Sequence, residues 1–140
     1  VALARVLVLI GLVGFAWHWW SERRTATETA EATSPTGFVT AAMPAEATPN
    51  TVLILAPLNC PSDGAQRADR LADELGSRSI PVRRASRFSL QAEDAGDDQR
   101  ARIDRSVAVL NGEIPAVFVN GMAKSNPTVE EVVAEYRRTR

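Results

Sequence analysis

Apolar positions are unevenly spread along this chain, and their spacing divides it into three parts. From Val6 to Trp20 the run is unbroken by formal charge. Residues 25–50 hold almost none of the large apolar types. From Thr51 onward, short aliphatic bursts alternate with helix-spaced ones. Thr51–Ala56, bounded by Pro49 and Pro57, reads as a buried strand. Over residues 62–75, Ala65, Ala68, Leu71, Ala72 and Leu75 share one helical face, with Gly76 as the terminator. Ile80–Ala85 is a second strand, parallel to the first across a β-α-β unit. A polar loop over 89–97 leads to a helix at about 98–110, expected to bury Ile103, Val107 and Leu110. Ala116–Val119, the turn Asn120-Gly121 and Met122–Lys124 spell an antiparallel hairpin. The last helix begins at Thr128, where Thr-Val-Glu-Glu131 is a capping box, and buries Val129, Val132, Val133 and Tyr136.

The resulting order, β-α-β-α-β-β-α, predicts an α/β domain over 51–140 with a four-stranded mixed sheet and helices on both faces. Ahead of it, the Ala, Thr, Glu and Pro of residues 25–50 read as a flexible tether. The apolar run within residues 1–24 reads as one transmembrane helix. It approaches the roughly 20 residues a bilayer requires and ends in the interface-favouring cluster Trp17, Trp19, Trp20. A signal anchor is preferred to a cleaved signal peptide, because bulky Trp-His-Trp-Trp stands where a peptidase needs small residues. Anchor and tether together predict a single-pass protein of the inner membrane, held by lipid contacts of residues 1–24, with its domain facing the periplasm.

Composition narrows the chemistry. Within 51–140, 13 Lys/Arg oppose 13 Asp/Glu, and no basic stripe with interleaved aromatics appears, so nucleic acid is not an expected partner. Cys60 is the sole cysteine and His18, in the apolar run, the sole histidine. An internal disulfide, a cysteine zinc site and a Ser-His-Asp or Cys-His site in the domain are excluded by count. Arg83, Arg84 and Arg87 form a basic cluster and Glu93, Asp94, Asp97 and Asp98 an acidic one, both read as solvated surface. Asp63-Gly-Ala-Gln66 is itself a capping box, which makes Asp63 a candidate N-cap.

Four features then fall in sequence: Cys60-Pro61-Ser62-Asp63 at the first strand–helix junction, Ile114-Pro115 before the third strand, the hairpin Val117–Gly121, and the Thr128–Glu131 helix start. In this order they resemble the thioredoxin superfamily, its glutaredoxin branch most closely, over about residues 51–138. The resemblance implies a catalytic cysteine at Cys60 and a cis Ile114–Pro115 bond that presents a backbone edge to substrate, so Ile114 and Pro115 are the implied substrate-binding residues. The motif departs from the family's at its second cysteine, where Asp63 stands; a two-cysteine cycle cannot run, and a monothiol one remains. A carboxylate there also works against thiolate. No cofactor is expected. Glutathione enters only as a co-substrate, and the glycine pair that holds it in the family is replaced by Lys124-Ser125-Asn126-Pro127. Two functions therefore compete: monothiol thiol–disulfide chemistry through Cys60, and a non-catalytic interaction module serving a protein partner in a cell-envelope complex. In the second, Cys60 is a small apolar residue at a junction.

Overall fold

A computed structural model describes residues 8, 10–21, 32–92 and 96–140. The chain forms two compact units, Val1–Ala32 and Thr33–Arg140. In the first, residues 10–21 are helical and exposed all round. Among the described residues no helix is long and apolar enough to cross a membrane. This overturns the transmembrane helix and the single-pass inner-membrane location expected from the sequence. Residues 1–7, 9 and 22–31, which carry the rest of the proposed anchor and the start of the proposed tether, lie outside the described residues.

The second unit holds a five-stranded mixed sheet, not the four-stranded one expected. Its strands are β1 (Val39–Thr40), β2 (Val52–Leu55), β3 (Val82–Ala85), β4 (Ala116–Val119) and β5 (Met122–Ser125), in spatial order β1-β5-β4-β2-β3. β2 and β3 run parallel, Val52 opposite Val82, and β2 is antiparallel to β4, Leu53 opposite Phe118. The β4–β5 hairpin turns on Asn120 and Gly121, both at positive φ, the geometry a two-residue loop between right-twisted strands requires. The extra strand, β1, comes from the stretch read as tether and pairs antiparallel with β5, Val39 opposite Ala123. What makes this possible is one large apolar residue and two small ones: Phe38 is fully buried, and Ala41 and Ala42 pack where larger side chains would not be needed.

Helices α1 (Asp63–Ser77) and α3 (Val129–Thr139) belong with one apolar cluster, and α2 (Asp97–Leu110) with the other. The first cluster joins Ala68, Leu71 and Leu75 of α1 and Val132, Val133 and Tyr136 of α3 to Val52, Ile54, Val117, Val119 and Phe38. The second is smaller and rich in alanine: Leu53, Leu55, Ala116, Phe118, Ala123, Val109 and Ala41. On α2 the buried residues are Ser106 and Val109, and Val107 is exposed, so the inward face is rotated from the one expected. The cause is the 41–42 segment. The Ser106 hydroxyl donates to the Ala42 carbonyl at 2.8 Å, and Arg105 Nε donates to the Thr40 carbonyl at 2.5 Å. A backbone carbonyl facing the helix favours a hydroxyl over an aliphatic side chain.

The same stretch is anchored at its other end by charge. Glu135 of α3 is fully buried; Thr36 Oγ1 donates to it at 2.5 Å, and Arg138 pairs with it from the next turn. Lys124 Nζ donates to the Thr36 carbonyl at 3.0 Å and pairs with Glu131 at 2.8 Å. The Thr128 capping box is complete, with both reciprocal bonds made.

Candidate functional site

Cys60 lies in the turn between the end of β2 and the start of α1, half-buried, one residue after Asn59, which has positive φ. The N-cap of α1 is Ser62, not Asp63: the Ser62 hydroxyl accepts from the Ala65 N–H at 3.3 Å, and Asp63 is the first helical residue. Cys60 therefore stands two residues before the cap, outside the first turn whose free N–H groups would have surrounded it. The cap residue supplies what the turn does not. Ser62, through its side chain first and its backbone second, pulls the Cys60 thiol below its usual range, while desolvation acts the other way. The Asp63 carboxylate is not among the groups acting on the thiol.

The Ile114–Pro115 bond is cis. Pro115 is fully buried and its carbonyl accepts from the Asn126 N–H at 2.7 Å, whereas Ile114 is 39% exposed. Helix α1 reaches this segment twice. A Cβ on Gly64 would come within 2.9 Å of the Ile114 Cβ, so only glycine permits this approach. One turn further, Arg67 donates from Nε at 3.2 Å and from Nη2 at 2.8 Å to the Ile114 carbonyl. The N-terminal end of α1 thus ties the segment carrying Ile114 and Pro115 to the helix that Cys60 precedes.

Beside these residues, at the carboxyl end of β2, lies a cleft of about 160 Å³ walled by Leu55, Pro57, Phe88, Leu110 and Ile114. Drug-sized ligands occupy pockets of roughly 300 Å³ and more, so this cleft suits a single side chain. The arginines do not form one site. Successive strand residues face opposite sides, and Arg84 pairs with Asp69 of α1 while Arg83 acts on Glu46 across the other face. Arg84 keeps Nε and Nη2 buried without a partner among the described residues. Of the acidic cluster, Asp97 and Asp98 form the first turn of α2; Glu93 and Asp94 lie outside the described residues. Among the described residues no group of His, Cys, Asp and Glu could hold a metal ion.

Two contributors were not foreseen. Ser62 as cap was hidden by the competing Asp63–Gln66 pattern one residue on. Arg67 had no signal at all, since a solvent-side helix position says nothing about a carbonyl 47 residues away. Comparison with protein-family models, with curated proteins and with solved structures found no match to this chain.

Proposed function

We propose that the unit Thr33–Arg140 is a thioredoxin-superfamily module of glutaredoxin type that performs monothiol thiol–disulfide exchange through Cys60. The observation that carries this reading is the placement of Cys60 just ahead of α1, the helix whose Gly64 and Arg67 hold the segment with the cis Ile114–Pro115 bond; the thiol is also held below its usual range, which favours thiolate, the attacking species. The strand order β3-β2-β4-β5 and the position of Cys60 between β2 and α1 support it. In the reaction, Cys60 Sγ⁻ attacks one sulfur of a disulfide. A new S–S bond forms, the old one breaks, and the departing thiolate takes a proton from water. A low-molecular-weight thiol then attacks the mixed disulfide, leaves as part of a new disulfide, and returns Cys60 as thiolate. The test is the pH dependence of Cys60 alkylation in native and unfolded protein. The native midpoint is expected below the unfolded one, and Ser62→Ala is expected to move it back up.

A second reading, a non-catalytic interaction module, is favoured by a separate observation. Leu58, Phe88 and Ile114 are exposed large apolar residues, and two of them wall the cleft. The same experiment separates the two: a Cys60 that alkylates only after unfolding leaves the interaction module and ends the monothiol reading.

A further inference from the structure

A peptide that adds an extended segment to a backbone edge uses both the N–H and the C=O of the residue it pairs with. At Ile114 the carbonyl is already taken. Nε and Nη2 of Arg67 donate to it from the same side at 3.2 and 2.8 Å, so a docking peptide N–H must compete with the guanidinium for this oxygen. Gly64 of the same helix lies against the Ile114 side chain with no space for even one further carbon, so α1 packs closely on this segment. Arg67 is drawn from α1, the helix that begins just after Cys60, so the closure sits on the element that carries the reactive turn.

Resting on the monothiol reading of Cys60, we propose that Arg67 is a specificity-determining residue: it closes the Ile114 edge and restricts the site to small disulfides over extended polypeptide ones. A small disulfide needs only to bring one sulfur to Cys60. An extended peptide disulfide must dock its backbone and meets a carbonyl that Arg67 holds. Displacing the guanidinium would open that edge without altering the thiol.

The experiment uses the full chain and two disulfides with one leaving group, pyridine-2-thiolate: one on N-acetylcysteine amide, one on the central cysteine of an uncharged extended heptapeptide. In each, Cys60 Sγ bonds to the cysteine sulfur, the S–S bond breaks, and pyridine-2-thiolate departs and is protonated to the coloured thione. The wild type is expected to react faster with the small disulfide. Arg67→Ala is expected to raise the ratio of the peptide rate to the small-disulfide rate about tenfold, the gain of one backbone hydrogen bond. Arg67→Lys, which keeps a charge but loses the planar two-donor fork, is expected to fall between. Equal change of both rates, or none, in Arg67→Ala overturns the specificity role while leaving the monothiol reading in place. Failure of wild type and variant to react with either disulfide overturns the monothiol reading and this inference with it.

Discussion

The two faces of the sheet are built by different means. On the α1/α3 face, large aliphatic and aromatic side chains meet others, and burial of Leu75, Ile54, Val132 and Phe38 supplies the cohesion. On the α2 face the side chains are small, and the layer is finished by chain rather than by a second helix: residues 41–47 lie against Ala123, Phe118 and Val109. Exposed backbone brought into a core must be hydrogen-bonded, and on this face Ser106 and Arg105 of α2 bond directly to the backbone that covers it. The lesson is that a stretch poor in large apolar residues can still be core when its job is to cover a sheet of alanines.

Phe38 joins the two regimes, since it leaves the coil stretch to enter the apolar face. Phe38→Ala should therefore be the most damaging change, costing about 4 kcal/mol in denaturant unfolding. A loss near zero would show that the 33–43 segment is tether after all.

Glu135 tests the anchoring of the same segment by charge. Burial pushes its pKa upward, but bonds from Arg138, Thr36 and Ser34 outweigh that and hold it lowered. A lowered carboxyl contributes stability that is fully present above its ordinary value of about 4.5 and is lost as pH falls through the native value. Glu135→Gln should cost about 2 kcal/mol at neutral pH and flatten the acid limb of the stability profile. An unchanged acid limb would remove the electrostatic half of the contrast.

The polar face should yield less. Ser106→Ala leaves the Ala42 carbonyl with a lost donor and should cost about 1 kcal/mol. Equality with the loss from Val109→Ala would show that the two kinds of contact contribute alike. Ser62→Ala should cost a similar amount, about 1 kcal/mol for the cap, together with slower alkylation of Cys60 at neutral pH. A slower reaction with no change in the pH midpoint would assign Ser62 to capping alone.

From the sequence alone, every element after residue 50 could be placed within a few residues. Local signals suffice there: a proline-bounded aliphatic run for β2, a helix-spaced face for α1, Asn-Gly for the hairpin, a capping box for α3. Cys60 as the one candidate nucleophile followed from counting. Three matters were settled only in three dimensions. Val39 and Thr40 joined the sheet, and Ala41 its α2 face, because β5 offered an unpaired edge and that face an uncovered one, neither visible in the segment's own composition. The inward face of α2 shifted because that segment placed a carbonyl against it. At the candidate site, the Arg67–Ile114 contact joins residues far apart in the chain; such pairings are decided by how helix and sheet pack, and no local pattern encodes them.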